Sequence, residues 1–185
     1  EAEIEYLKTK GVDLDAAKAV YSINQGIWGT SIGGKETLTS NQTLPESAYP
    51  TQLTKNDTED ITISFEKGEP VALNGKKYNH PIELIQELNL IAAPYAIGRD
   101  IHVGDTIIGI KGRVGFEAAA PLVIIKAHHL LEKHTLTKQQ LIWKEMMANP
   151  YGNFLHEGLF YEPVMRDIEV FLSSTQAHVT GDVII

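Results

Sequence analysis

Between Tyr21 and Thr37 the chain reads YSINQGIWGTSIGGKET, which gathers Gly26, Gly29, Gly33 and Gly34, the hydroxyls of Ser22, Thr30, Ser31 and Thr37, and Trp28. Glycines let another molecule approach the backbone closely, and hydroxyls donate or accept hydrogen bonds, so the stretch reads as a ligand loop. Neither a helical period nor a strand alternation is evident in it. Gly29, four further residues, Gly34 and Lys35 match the start of a phosphate-cradling P-loop. The next position of that pattern needs a hydroxyl for Mg²⁺ and here is Glu36, and Ser22 to Gly26 is too polar for the buried strand that should feed such a loop. A phosphate cradle is therefore disfavoured.

Arg99, with its neighbour Asp100, and Arg113 each adjoin a glycine, where a guanidinium in a loop would clamp a carboxylate in bidentate fashion or form a structural ion pair. Glu117, Glu132, Glu157 and Asp167 are the carboxylates considered for acid–base work, although spacing alone brings no two together and charged side chains are mostly solvated. His128 and His129 point about 100° apart on a helix, and neither His128 with Glu132 nor His129 with His134 gives a zinc-protease spacing. No metal site is expected. Trp28 and Trp143 are read as packing residues before ligand platforms.

The chain is 185 residues long with 43% apolar and 22% charged residues, an ordinary globular composition. Its net charge of −8 and lack of basic clusters interleaved with aromatics disfavour nucleic acid and anionic membranes as partners. Cysteine is absent, which removes disulfides, thiolate metal sites and cysteine nucleophiles, and fits a reducing cytoplasm. No stretch is apolar enough to span a bilayer, and no export leader is evident. The first residue is Glu1, and EAEIEYLKTK already resembles part of an amphipathic helix, so a piece of something longer is expected.

The elements that must position these residues can be sketched. The opening helix should stop at Gly11, and Ala17 to Tyr21 should be a strand. Thr39 to Asp60, with Pro45 and Pro50, should be an extended connection. Ile61-Thr62-Ile63-Ser64-Phe65 alternates, Lys67-Gly68 turns, Val71 to Leu73 returns and Asn74-Gly75 turns again, which predicts an antiparallel meander. Pro81 should open a helix burying Ile82, Ile85, Leu88 and Ala92, up to Pro94. Thr106 to Lys111 is β-like, and a long helix should run from Glu117, with Pro121 tolerated in its first turn. A helix capped by Thr137 should turn Leu141 and Met146 inward and end at Asn149-Pro150, Pro163 should open a helix to Ser173, and His178 to Ile185 should be a strand. The fold class is α+β, a mixed or antiparallel sheet with packed helices and no internal repeat.

Three blocks together resemble the argininosuccinate synthase family. Tyr21-Ser22 through Trp28-Gly29-Thr30-Ser31 matches its tyrosine-serine and tryptophan-glycine block, IGRDIHVGDTIIGIKGRVGFE (97–117) its glycine-arginine-aspartate and GxKxR region, and KAHHLLEKHTLT, LHEGLFYEPVMRDIEVFL and STQAHVTGDV its closing elements. The resemblance covers residues 1–185. It implies that 1–20 end a nucleotide-binding domain and that 21–185 form the citrulline-binding and multimerisation domain. The SGGxDTS loop that binds ATP in the family is not in this sequence. The implied enzyme joins citrulline and aspartate using ATP with Mg²⁺, through a citrulline-adenylate, as a cytoplasmic homotetramer, and this piece alone is expected to be inactive.

Position by position, the resemblance makes Ser22 and Ser31 citrulline contacts. Two further family contacts diverge, because a glutamate falls on Gly104 and a tyrosine on Phe116. Asp105 is the candidate compensating acid. If no acid compensates, the site would suit a citrulline whose α-amine is acylated, since a buried unpaired ammonium is costly and an amide is not. The alternative reading is a non-catalytic small-molecule-binding and assembly module, with Tyr151, Phe154, Phe160 and Tyr161 at subunit contacts.

Overall fold

The computed structural model describes residues 2–13 and 20–185. Among these the order is α1 (Ala2–Thr9), β1 (Tyr21–Gly26), β2 (Gly29–Gly34), β3 (Thr62–Glu66), β4 (Glu69–Leu73), β5 (Lys76–Lys77), α2 (Pro81–Ala92), β6 (Arg99–Asp105), β7 (Lys111–Glu117), α3 (Ala119–Thr135), α4 (Lys138–His156), α5 (Pro163–Thr175) and β8 (Gly181–Ile184). Two four-stranded sheets result, β1-β2-β7-β6 and β5-β4-β3-β8, and every pairing is antiparallel. The α+β class is as expected.

The second sheet carries the main core. The alternation in 61–65 puts Ile61, Ile63 and Phe65 on one face, against Leu84 and Leu88 of α2 and Val123, Ala127 and Leu131 of α3. Ile63, Leu84 and Leu88 are completely buried, each contributing roughly 1.5–3 kcal/mol by removal from water. Both turn dipeptides work as expected: Lys67-Gly68 and Asn74-Gly75 have positive φ at both positions, the geometry that matches strand twist in tight hairpins. α2 buries Leu84, Leu88 and Ala92, whereas Ile82, expected inside, is 45% exposed. The buried stripe follows a spacing of four from Leu84.

Several expectations need correction. The predicted Ala17 to Tyr21 strand lies partly outside the described residues; only Tyr21 is seen, opening β1. The glycine-rich 21–37 stretch is a β-hairpin with a two-residue Ile27-Trp28 turn, in register from Tyr21 opposite Gly34 to Gly26 opposite Gly29. Its strands show no hydrophobic alternation because β1 is an exposed edge and only Ile32 of β2 is a fully buried apolar anchor. Of the β-like run 106–111, residues 106–110 are the tip of the β6–β7 hairpin, where Ile107, Ile108 and Ile110 are exposed, and Lys111 opens β7; the strands are the glycine-containing segments on either side. Glu117 ends β7 rather than starting α3.

α4 starts as predicted, with Thr137 and Gln140 forming a reciprocal capping box. It does not end at Pro150 but continues to His156, although proline costs a helix interior one hydrogen bond and a steric clash. Packing against α5 outweighs that cost locally, with the Tyr151 hydroxyl donating to Glu169 at 2.8 Å. No residue of α4 is buried: Leu141 packs partly on the core, whereas Met146, expected inside, is 53% exposed.

Candidate functional site

Side chains directly opposite across an antiparallel ladder share a face of the sheet. In the first sheet Ser22 opposes Gly33, Asn24 opposes Ser31, Ser31 opposes Phe116 and Phe116 opposes Asp100. His102 opposes Val114 and Gly104 opposes Gly112. One face, here called the front, therefore carries Ser22, Asn24, Ser31, Phe116, Asp100 and His102. Gly33 and Gly112 add no bulk, leaving an open strip. At one end, beside the Ile27-Trp28 turn, Asn24, Trp28, Ser31, Phe116 and Ala118 line a depression of about 550 Å³. The turn needs Gly29, whose φ of 137° lies where side chains rarely go.

Ser31 and Phe116 thus lie together in the depression, and Ser22 lies on the same face without lining it. Gly104 is on that face at the far end, where a Cβ would fall on the imidazole of His102. Asp105 is not. Strand alternation turns it to the opposite face, where its carboxylate pairs with Lys111 at 2.7 Å. The residues missed in the sequence are Asn24, Asp100 and His102; their signal was the period-two spacing with Ser22 and Gly104 along β1 and β6.

The back of the same sheet is closed around Ile32, Arg99 and Glu117. Ile32 packs with Leu44 and Ala48 of the 39–60 connection, flanked by Tyr21 and Tyr49. Arg99 lies there, its side chain 10% exposed, pairing with Glu117 at 3.1 Å and Glu46 at 2.7 Å, donating to the Thr51 carbonyl and lying over the Tyr49 ring. Glu117 also accepts from the Thr51 amide at 3.3 Å. The Leu53 backbone N–H first, and then Arg99, hold the Glu46 carboxyl below its ordinary range. Arg113 donates to the Glu36 and Gln42 carbonyls. Neither guanidinium is a free clamp; both fasten the connection to the sheet.

Glu36, which breaks the P-loop pattern, accepts from the Tyr21 hydroxyl at 2.9 Å. Gly29 to Gly34 is extended strand, not a nest of amides, and so does not fit a triphosphate. Glu132 is buried, taking hydrogen bonds from Lys144 and Gln176 with the His128 ring 3.7 Å away. Burial would raise its carboxyl, but the Lys144 and Gln176 hydrogen bonds outweigh that and hold it low, while burial pushes His128 below the ordinary imidazole value. Glu117 and Glu132 are therefore buried structural acids, against the expectation of solvation, and only Glu157 and Asp167 are exposed. Neither tryptophan packs inside: Trp28 is 53% and Trp143 51% exposed.

The family model of the arginosuccinate synthase C-terminal domain matches residues 21–185. The chain belongs to the argininosuccinate synthase family. It is 38% identical over 186 residues to argininosuccinate synthase of Methanocaldococcus jannaschii, 37% identical to that of Dictyoglomus thermophilum and 40% identical to that of Dictyoglomus turgidum, with 98–99% of this chain covered. The chain spans 46% of the length of these relatives. Argininosuccinate synthases are ligases. Among the described helices none is long and apolar enough to cross a membrane.

Proposed function

We propose that this chain is the citrulline-side part of an ATP-dependent ligase that condenses citrulline with aspartate, in the cytoplasm. The observation that carries the reading is the front face of the first sheet, where Ser31, Asn24 and Phe116 line one depression with Ser22 beside it. A ureido group is planar, neutral and rich in N–H donors and one carbonyl acceptor. Hydroxyls and an amide side chain can meet both, over an apolar floor.

In the proposed chemistry the ureido oxygen attacks the α-phosphorus of ATP and releases diphosphate; the aspartate amine then adds to the activated carbon, and AMP leaves with that oxygen. The nucleotide and its Mg²⁺ are assigned to a part of the protein outside this chain. The poor fit of Gly29 to Lys35 to phosphate supports that division. What this chain does is bind and orient the ureido amino acid. Sustained diphosphate release by the whole protein should need both citrulline and aspartate, with no more than one equivalent per site released on citrulline alone; release without citrulline would contradict the reading.

An assembly role stands beside this one. The α4–α5 arm presents Trp143 at 51%, Met146 at 53%, Phe160 at 44% and Tyr161 at 92% exposure, whereas Tyr151 and Phe154 are half-buried. Exposed aromatics and methionine are enriched at subunit contacts. We propose a homotetramer that uses this arm, and light scattering of Trp143→Glu and Tyr161→Glu should show smaller species. An unchanged mass in both variants would count against it.

A further inference from the structure

We infer that Asp100 is the counter-ion for the ammonium group of the amino-acid substrate, and thereby sets the preference for an unmodified amine over an acylated one. This rests on the ligase reading above. Among the strand positions of the front face, Asp100 is the single carboxylate, and no lysine or arginine lies there: Arg99, Lys111 and Arg113 all fall on the back register. An acid on an otherwise uncharged strip sets up a field that favours a cation and disfavours a second anion.

The carboxylate is also available. Asp100 is exposed and enters no ion pair among the described residues, and Oδ1 accepts the Ile101 backbone N–H at 2.7 Å, which orients the group and leaves Oδ2 open. The other acid of β6, Asp105, is turned to the back and held by Lys111. The position of Asp100 suits a substrate anchored at Ser31. Ser31, Phe116 and Asp100 form one row across three adjacent strands, so the serine and the acid stand two strand spacings apart, roughly 10 Å between backbones. Their side chains can reach inward over Phe116, so an extended δ-ureido amino acid can place its ureido end at Ser31 and Asn24 and its ammonium at Asp100. Beyond Asp100 the His102 ring covers Gly104 and closes the strip.

An acylated α-nitrogen carries no charge, so it gains nothing from this carboxylate and strips water from it. Free citrulline should therefore be preferred, and the preference should vanish with the charge. The test is steady-state kinetics of the whole protein, wild type and Asp100→Asn, with citrulline and with N-acetylcitrulline. Loss of one charge-assisted hydrogen bond predicts a KM for citrulline raised roughly 10- to 100-fold with kcat changed less than about threefold. Asp100→Glu should recover part of the loss, and an unchanged thermal midpoint would exclude misfolding. Turnover of citrulline by wild type with the same KM in Asp100→Asn would overturn the inference and leave the ligase reading standing. So would a wild-type preference for N-acetylcitrulline that Asp100→Asn does not alter. Absence of citrulline turnover in the wild type would overturn both. Should Asp100→Asn not fold, Asp100→Ser carries the same comparison.

Discussion

The back of the first sheet is closed over its centre by an ion-paired connection while its front is open, although the same four strands supply both faces. On the back are the residues with the most conspicuous chemistry: Arg99, Arg113 and Glu117. On the front are serines, an asparagine, a phenylalanine and a single acid. The difference follows from what each face must do. A buried charge has to be fully paired, so the back consumes its guanidiniums and carboxylates in fastening residues 36–51. A face that accepts and releases a neutral ureido group needs hydrogen-bonding groups with no internal partner.

The sharpest way to break this contrast is to disturb the back. Arg99→Met leaves Glu117 buried with its charge unmatched, and loss of about 3–5 kcal/mol of stability is expected. Arg99→Met combined with Glu117→Met should recover most of that loss, because both charges leave together. Denaturant unfolding of the three variants measures it; equal losses in the single and the double would show that the pair is not what holds the back.

The front should answer differently. Ser31→Ala is expected to raise the KM for citrulline about 5- to 10-fold, the worth of one ordinary hydrogen bond. Stability should change by less than about 0.5 kcal/mol, as for an unburdened surface position. A loss of stability without a KM effect would merge the two faces into one.

The smallest expected effect concerns the acid limb of stability. Burial lowers the His128 pKa, so between the ordinary imidazole value of about 6.5 and the lower folded value the unfolded chain binds a proton that the folded chain does not. Stability is then full above about pH 6.5 and declines as pH falls through that window. Glu132 has the opposite proton bookkeeping only in name: its lowered carboxyl pKa makes its contribution present above the ordinary carboxylate range and lost at still lower pH. Thermal midpoints of wild type and His128→Gln from pH 5 to 8 should differ in slope near pH 6; parallel curves would remove His128 from the account.

Much of the second sheet was legible because its residues obey local rules. Ile61, Ile63 and Phe65 alternate, and Asn74-Gly75 adopts the positive φ angles that its turn requires. The first sheet was less so, since YSINQG and RDIHVGD carry only two apolar side chains each among glycines and polar residues, and their strand state is set by pairing, β1 with β2 and β6 with β7. Ser22 and Ser31 could be named by family resemblance, whereas Asn24 and Asp100 had only their period-two spacing with Ser22 and Gly104, which places them on one face once the strands and their register are known. Asp105 falls on the other face for the same reason: one step along a strand is the opposite face. Pro150 misled because a breaker signal is local, whereas the α4–α5 contact that overrides it is tertiary.

A structure of the whole protein with bound citrulline tests the central claim most directly. The ureido amino acid should lie on the front of the first sheet, with Ser31 and Ser22 within hydrogen-bond distance and Phe116 beneath it. Citrulline bound elsewhere, with that face covered by another part of the protein, would contradict the assignment.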